Sequence, residues 1–181
     1  IETLGKVVDI QQTQTNTHFT IESVIGKELK VDQSVAHNGV CLTVTKVEGN
    51  WHWVTAIDET LKKTSLGNLQ KGSSINLERC MLANGRFDGH IVQGHVDQTG
   101  ICTNIQDVDG SWLFDFEYSP QEGNVTVEKG SICINGVSLT CFKSTENSFR
   151  VAIIPYTYGH TTFHSLKIGD RVNLEFDIVG K

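Results

Sequence analysis

The stretch Asn38-Gly39-Val40-Cys41-Leu42-Thr43 returns later in the chain as Asn135-Gly136-Val137-Ser138-Leu139-Thr140. The two copies start 97 positions apart, and the match continues at that spacing without a gap from Ser34 to Glu78 of the first copy. Outside the motif, the residues retained at this spacing include Lys46 and Lys143, Val54 and Val151, Gly72 and Gly169, and Glu78 and Glu175. Tandem copies of this length are far longer than a solenoid repeat, so they predict two similar domains.

The bulk properties agree with two small domains. The chain has 181 residues and a formal net charge of −6. We place the domains at residues 1–89 and 90–181, near the lower end of the common domain size. The negative charge argues against a nucleic-acid partner, because phosphate binding needs a concentrated basic patch and the sequence shows none. No apolar run approaches the ~20 residues that cross a bilayer, so we expect no membrane partner.

The cysteines indicate a reducing compartment. There are five of them, an odd number, and none belongs to a CxxC pair. This pattern favours reduced thiols in the cytoplasm, and the first residues lack the regions of a signal peptide. Neither Cys nor His forms a cluster with the spacing of a zinc site, so we predict no metal. The simplest interpretation is a small buried apolar side chain for Cys80, Cys102, Cys133 and Cys141.

The hydrophobic pattern predicts an all-β fold. Short β-rich runs alternate with Gly and Asn turns, and the chain has only two prolines. Closing each set of about six strands would remove exposed edges, which favours a barrel over a sandwich. A short helix or helical turn is expected within 59–66. The predicted strands are 1–10, 17–24, 34–47 with a turn at 38–39, 51–56 and 74–80, then 96–105, 112–117, 131–143, 149–154 and 171–177.

The densest cluster of titratable side chains lies between the copies, in Gly89-His90-Ile91-Val92-Gln93-Gly94-His95-Val96-Asp97. A glycine precedes each histidine, which suggests that the backbone closely approaches another group there. If this segment is a strand, side chains five apart point to opposite faces, so His90 and His95 have different roles. A structural alternative is that both imidazoles bond neighbouring carbonyl groups.

The duplicated block contains two kinds of polar residue. We interpret Asn38-Gly39 and Asn135-Gly136 as turns. Hydroxyl groups retained in both copies are expected of two pockets that bind one polyhydroxylated ligand, although threonine also favours strands for its own reasons. These pairs are Ser34 and Ser131, Thr43 and Thr140, and Thr60 and Thr157. The copies differ at Cys41 and Ser138, Glu59 and Tyr156, and His37 and Ile134. Unlike polar groups at sites of one origin suit two molecules of one compound in unlike roles.

The tandem motifs Ser34–Val44 and Lys129–Thr140, with Gly89–His95 between them, closely resemble the riboflavin synthase family of the lumazine-binding barrel superfamily. The likeness extends to Glu59-Thr60-Leu61 and Ile154-Pro155-Tyr156-Thr157, and it covers essentially the whole chain. The resemblance implies two tandem six-stranded antiparallel Greek-key β-barrels, each binding one 6,7-dimethyl-8-ribityllumazine.

The resemblance also implies a reaction. It is the last step of riboflavin biosynthesis, a transfer of a four-carbon unit between two lumazine molecules that yields riboflavin and 5-amino-6-ribitylaminouracil without a cofactor. In the family, the site lies between the N-terminal barrel of one subunit and the C-terminal barrel of another in a homotrimer, and lumazine synthase is a further implied partner. Stacking two identical planar substrates supplies proximity and orientation.

Site residues follow from the same resemblance. The N-terminal pocket would be lined by Ser34, Cys41, Thr43 and Thr60, and the C-terminal pocket by Lys129, Ser138, Thr140, Ile154 and Thr157. The positions matched to the reacting centre are His90, His95 and Asp177. The reaction needs a base for the acidic 7-methyl group, and His95 is the first candidate because imidazole titrates near neutral pH. Ser138, with Asp177, and Cys41 are candidates for polar or nucleophilic assistance at the two rings.

Three features qualify the resemblance. In the family, a Met-Phe-Thr-Gly segment precedes the position of Ile1 and a helix associated with trimer formation follows that of Lys181. An aspartate is frequent where this chain has Asn135, so a carboxylate role is not expected there.

The alternatives are a non-catalytic accessory protein of the lumazine-protein type, which tends to lose the polar set retained here, and a flavin reductase barrel. A reductase predicts a glycine-rich phosphate loop that the sequence lacks.

Overall fold

The computed structural model describes residues 1–178 and 181, and these form twelve strands arranged as two closed barrels of six strands each. The first barrel contains β1 (Thr3–Thr13), β2 (Asn16–Glu22), β3 (Ser34–His37), β4 (Val40–Glu48), β5 (Trp51–Ala56) and β6 (Ser74–Arg79). The second contains β7 (Gln98–Asp107), β8 (Trp112–Tyr118), β9 (Ser131–Ile134), β10 (Val137–Phe142), β11 (Ser148–Ile153) and β12 (Arg171–Phe176).

The two barrels share one topology. Strands follow the order β1, β2, β5, β4, β3, β6 around the first barrel and β7, β8, β11, β10, β9, β12 around the second. Neighbouring strands pair antiparallel throughout, and β1 and β7 each carry a register shift against the next strand. The predicted tandem Greek-key barrels are therefore confirmed.

A short helix follows the fifth strand of each barrel, α1 (Asp58–Lys63) after β5 and α2 (Pro155–His160) after β11. A threonine then begins a 3₁₀ turn in both copies, because its hydroxyl donates to the helix and accepts from the turn. Thr64 donates to the Thr60 carbonyl at 2.6 Å and Thr161 to the Thr157 carbonyl at 2.7 Å. The 3₁₀ turns of the described chain are Gly26–Glu28, Ser65–Asn68, Pro120–Glu122 and Thr162–Ser165. Over the described residues, no helix has the length and apolar character to cross a membrane.

The two cores are separate and differ in composition. Aliphatic side chains dominate the first, whereas the second contains the buried rings of Phe114, Phe116, Phe149 and Phe163. Successive side chains of a strand point to opposite faces, so burial alternates along each strand and the inward residues are apolar.

The cysteine prediction is confirmed at three of four positions. All five cysteines are free; Cys102, Cys133 and Cys141 are buried, and burial raises the pKa of the Cys102 thiol to about 11. The prediction was wrong for Cys80, which is exposed because β6 ends at Arg79 and the chain leaves the barrel there.

The Asn-Gly turns lie where the barrels meet. Gly39 and Gly136 have φ of +80° and +83°, and the asparagine before each also has positive φ, so both dipeptides are the turns that the sequence predicts. A Cβ on Gly39 would lie 2.7 Å from the Gly136 nitrogen, and one on Gly136 would lie 2.9 Å from the Gly39 nitrogen. Only glycine allows the two backbones to approach this closely.

A buried amide, Asn76, bonds across the junction from the first barrel. Its Nδ2 donates to the Asn135 carbonyl at 2.9 Å and to the Thr162 hydroxyl at 3.0 Å, and its Oδ1 accepts from the Thr162 backbone N–H at 2.9 Å. Its own backbone N–H donates to the Asn38 side chain at 2.8 Å. One side chain thus satisfies backbone groups of the other barrel.

Asn173 repeats the contacts to backbone groups from the second barrel. Its Nδ2 donates to the Asn38 carbonyl at 2.9 Å, its Oδ1 accepts from the Ser65 backbone N–H at 2.6 Å, and its backbone N–H donates to Asn135 Oδ1 at 2.8 Å. Because Asn76 and Asn173 are equivalent residues of the two copies, the barrels are related by an approximate twofold axis through the Asn-Gly turns. We call Asn76 and Asn173 the asparagine clamp.

Candidate active site

The inter-barrel segment, residues 81–97, crosses both barrels without forming a strand. No strand forms here, so the prediction that His90 and His95 point to opposite faces of one strand does not apply; the segment is held by side chains and single backbone contacts instead of a ladder. A Cβ on Gly89 would lie 2.5 Å from Ser138 Oγ, and one on Gly94 would lie 2.8 Å from Cys41 Cβ. The glycines before the two histidines thus mark close backbone approaches, as predicted.

His90 and Ser138 form a hydrogen-bonded pair. Ser138 Oγ lies 2.7 Å from His90 Nδ1 and accepts from the His90 backbone N–H at 3.2 Å. Because the oxygen already accepts a hydrogen bond, its own proton is free to point at the imidazole. Burial lowers the pKa of His90, while the negative charges of Asp177 and Glu175 act to raise it. A neutral imidazole beside a hydroxyl is the arrangement that general-base chemistry needs.

Two further observations concern His90. The alternative in which its imidazole only bonds a neighbouring carbonyl does not describe this residue, since Nδ1 faces the Ser138 hydroxyl. Its Nε2 is buried and, among the described residues, has no hydrogen-bond partner. A buried nitrogen without a partner is costly, so Nε2 is a position at which a ligand or solvent molecule would be favourable.

The second histidine, His95, is held through its backbone. Its imidazole is exposed, but its N–H donates to Glu175 Oε2 at 3.0 Å. The same carboxylate accepts from the N–H groups of Gln93 at 2.6 Å and Gly94 at 2.9 Å. Sequence reasoning did not assign Glu175 to the site, although its retention in both copies was a signal.

A cavity of about 540 Å³ lies between the barrels under this segment. The structure brings four predicted site residues to its wall: Ser34, Cys41, His90 and Ser138. Apolar side chains of the inter-barrel segment complete the wall, among them Met81, Leu82, Phe87 and Ile91. A cleft that combines apolar side chains with convergent polar groups has the composition of a small-molecule site.

In each closed barrel, one pair of neighbouring strands is hydrogen-bonded over only part of its length. In the described chain, the ladder between β4 and β5 stops at the pair Val44 and Val54, and that between β10 and β11 stops at the equivalent pair, Cys141 and Val151. Beyond these pairs, the strand edges leave backbone groups available to a polar ligand. Thr43 lies on β4 and Thr60 in α1; the equivalent Thr140 and Thr157 lie on β10 and in α2, and Ile154 directly precedes α2.

The remaining predicted residues lie near the second barrel's ends. Lys129 precedes β9 with φ of +62°, and its backbone N–H donates to the Cys141 carbonyl at 2.9 Å while its side chain is exposed. Asp177 directly follows β12 and acts on His90 through its charge. The other predicted site residues do not line the inter-barrel cavity: His95, Asp177, Thr43, Thr60, Lys129, Thr140, Ile154 and Thr157.

Comparison with protein families agrees with the geometry. The family described as Lumazine binding domain matches residues 1–80 and again 93–177. The two matches correspond to the two barrels, so fold and site define a protein of two tandem lumazine-binding domains.

Comparison with individual proteins identifies the family within this class. The chain is 45% identical to riboflavin synthase of Actinobacillus pleuropneumoniae and 42% identical to that of Bacillus subtilis (strain 168), in each case over 100% of this chain and 85% of the relative. Riboflavin synthase of Saccharomyces cerevisiae is 39% identical over 83% of this chain and 66% of its own length. The chain belongs to the riboflavin synthase family.

Solved structures share the architecture at lower identity. LumP complexed with riboflavin superimposes with a TM-score of 0.88 and 20% identity, covering 97% of this chain and 96% of that one. LumP complexed with 6,7-dimethyl-8-(1'-D-ribityl) lumazine gives a TM-score of 0.86 at 19% identity over the same shares of the two chains. At this identity, the likeness supports the fold.

Proposed function

We propose that this chain is a transferase that catalyses the last step of riboflavin biosynthesis. Two molecules of 6,7-dimethyl-8-ribityllumazine react by transfer of a four-carbon unit to give riboflavin and 5-amino-6-ribitylaminouracil. The observation that carries this function is the 45% identity to a riboflavin synthase over the whole chain, in a protein with two lumazine-binding domains. The reaction consumes two copies of one compound, and the duplicated barrel offers two related pockets that fix them together. No cofactor or metal takes part in this scheme.

The catalytic roles fall to five residues: His95, Ser138, Cys41, Asp177 and His90. Ser138 donates its proton to His90, so the serine oxygen or a water beside it adds to the ring of the donor substrate. The 2.7 Å separation of Ser138 Oγ and His90 Nδ1 supports this pairing. His95 removes the proton of the 7-methyl group, and the charge of Asp177 stabilises the proton that His90 receives. Cys41 lies at the other ring.

Substrate binding is assigned to one set of residues in each barrel. In the first pocket these are Ser34, Thr43 and Thr60, and in the second Lys129, Thr140, Ile154 and Thr157. Their hydroxyl groups and the backbone groups of the open strand edges match the donors and acceptors of a ribityl chain. Repetition of the same hydroxyl positions in both barrels supports two sites for one ligand.

We also propose a homotrimer in which the N-terminal barrel of one subunit faces the C-terminal barrel of another and completes the site. Exposed apolar side chains of the inter-barrel segment support an interface there, since Leu82 is 74% and Phe87 is 62% exposed. Residues 1–89 and 90–181 are our domains, with the boundary inside the inter-barrel segment. The free thiols suit a cytoplasmic protein, and lumazine synthase is the proposed partner.

A direct assay tests the function. The purified chain is incubated with 6,7-dimethyl-8-ribityllumazine, riboflavin is followed by absorbance and fluorescence, and light scattering during size exclusion gives the mass in the same buffer. Formation of one riboflavin for every two lumazines consumed is the expected result. Lumazine binding with no riboflavin would contradict the proposal.

A second candidate is a non-catalytic lumazine-binding accessory protein, which the TM-score of 0.88 with LumP favours. That candidate predicts a tight complex with one or two lumazines and no consumption. The lower identity of 20% to LumP, against 45% to a riboflavin synthase, makes the enzyme the better supported function.

A further inference from the structure

We propose that Glu175 is a positioning residue for this reaction: its carboxylate fixes the backbone of residues 93–95 and thereby aims His95 at the substrate and holds Gly94 against Cys41. This inference rests on the proposed function, because it assigns Glu175 to residues that the proposed reaction uses.

The carboxylate of Glu175 holds the backbone of residues 93–95 through hydrogen bonds. Glu175 is only 3% exposed, and its two carboxylate oxygens accept three consecutive N–H groups, from Gln93 at 2.6 Å, Gly94 at 2.9 Å and His95 at 3.0 Å. Hydrogen bonds to an ionised oxygen are stronger than neutral ones, so three of them restrict the backbone of a segment that has no ladder partners in the described chain. The buried carboxylate of Glu175 is therefore compensated by the dipoles of these three peptide N–H groups.

The segment that Glu175 holds also contacts the first barrel of the same chain. Gly94, held by Glu175 on one side, accepts a hydrogen bond from the Cys41 backbone N–H at 2.9 Å on the other. His95 follows directly, and because its imidazole is exposed, its direction is set mainly by the backbone that Glu175 holds. A shift of the segment would therefore move two proposed catalytic groups at once, and misplacement by about 1 Å is enough to lower a rate by about a hundredfold.

Stability alone does not account for a carboxylate at this position. Burying a charge is expensive, and an apolar side chain would fill the same space at lower cost. The equivalent residue of the first barrel, Glu78, has a side chain that is 49% exposed. Burial of the carboxylate is thus particular to the second barrel, where the backbone N–H groups of residues 93–95 accompany it.

The test compares Glu175→Gln with Glu175→Met, and uses Glu117→Gln as a matched control on an exposed position of β8. Amide hydrogen exchange of residues 93–95 is measured by NMR, and kcat and KM are measured with 6,7-dimethyl-8-ribityllumazine. For both Glu175 variants we expect exchange of the three amides to be at least tenfold faster, kcat to fall at least tenfold and KM to change less than threefold. Glu117→Gln should change none of these.

A second readout separates positioning from structure. Removing the negative charge of Glu175 should lower the pKa of His90 further, which NMR titration of the imidazole detects. Amides in β7–β12 should keep their protection in both variants. The proposal is overturned by unchanged exchange at residues 93–95, by unchanged kcat, or by protection lost across the whole barrel, which would indicate a structural role. Absence of riboflavin with the unaltered chain would instead refute the proposed function, and the exchange data would still decide whether Glu175 holds the segment.

Discussion

The two barrels share strand order and turns but differ in what they bury. The first buries His37 and His52, whose Nε2 atoms lie 2.8 Å apart, and the equivalent positions of the second hold Ile134 and Phe149. His37 Nδ1 donates to the Val35 carbonyl at 2.9 Å, so its Nε2 accepts from His52. The barrel therefore tolerates a polar pair or an apolar pair at the same place, provided that the volume is filled.

Conservation between the copies is greatest at the junction of the barrels. The asparagine clamp and the Gly39 and Gly136 turns are present in both, and the contacts to backbone groups correspond on the two sides of the approximate twofold axis, whereas only Asn76 also bonds a hydroxyl, that of Thr162. The residues that fill the two barrel cores can therefore differ in chemical type, whereas backbone groups at the junction need the same partners in both copies.

Breaking the asparagine clamp should have the largest effect. Asn76→Ala and Asn173→Ala each leave backbone N–H and carbonyl groups of the other barrel buried without partners, at a cost of roughly 1–3 kcal/mol per group. We expect each variant to lose about 3–5 kcal/mol in the free energy of unfolding, measured by urea denaturation, and the two losses to be similar.

The control for the clamp is Asn50→Ala, a duplicated but exposed asparagine. It should change the free energy of unfolding by no more than about 0.5 kcal/mol. Losses that differ between the two clamp variants by more than about 2 kcal/mol would show that the twofold relation does not extend to energetics.

Gly39→Ala should cost about 3 kcal/mol. The substitution adds the strain of positive φ, about 1 kcal/mol, and a Cβ that would lie 2.7 Å from the Gly136 nitrogen and push the barrels apart. Gly49→Ala isolates the strain, because Gly49 has φ of +59° and a Cβ added there would meet nothing within 4 Å. Equal losses in the two variants, measured by thermal unfolding, would contradict close contact at the junction.

The buried histidines should make the chain sensitive to acid. Burial lowers the pKa values of His37 and His52 below the ordinary value of 6.5, so the unfolded chain binds more protons than the folded one at mildly acidic pH. Stability from the pair is present above about pH 6.5 and is lost as the pH falls below it. Between pH 7.5 and 5.5 we expect a loss of roughly 2–3 kcal/mol, at about 1.4 kcal/mol per pKa unit and histidine.

Replacing His37 and His52 by the equivalent residues of the second barrel tests whether this pair causes the loss of stability in acid. The double variant His37→Ile and His52→Phe should unfold with a much flatter pH dependence over the same range. His18→Gln, at a half-buried histidine that bonds Thr55, should keep the pH dependence of the unaltered chain. A double variant that still lost about 2–3 kcal/mol would show that other groups carry the effect.

The architecture was predictable because its signals are local and repeated. The strand at Trp51–Ala56 was predicted with the observed bounds, and the Asn-Gly turns followed from their residue types. The placement of His90 and His95 depends on a segment that forms no strand, so the two-residue period of a ladder does not describe it. The burial of Glu175 and the exposure of Cys80 depend on where the barrels meet and where a strand ends. Such tertiary contacts leave no periodic pattern in the sequence.

The smallest effect concerns the positions where the copies differ in chemistry. Ser138→Ala removes the hydroxyl that faces His90, so kcat should fall about 10–100-fold, the range in which general-base assistance is lost in part. Because Ser138 is exposed, the free energy of unfolding should change by less than about 1 kcal/mol. Ser111→Ala, in the hairpin between β7 and β8, is the control that should leave both quantities unchanged. If Ser138→Ala keeps full kcat while binding lumazine normally, the hydroxyl only orients His90, and the difference between Cys41 and Ser138 reflects packing instead of donor and acceptor roles.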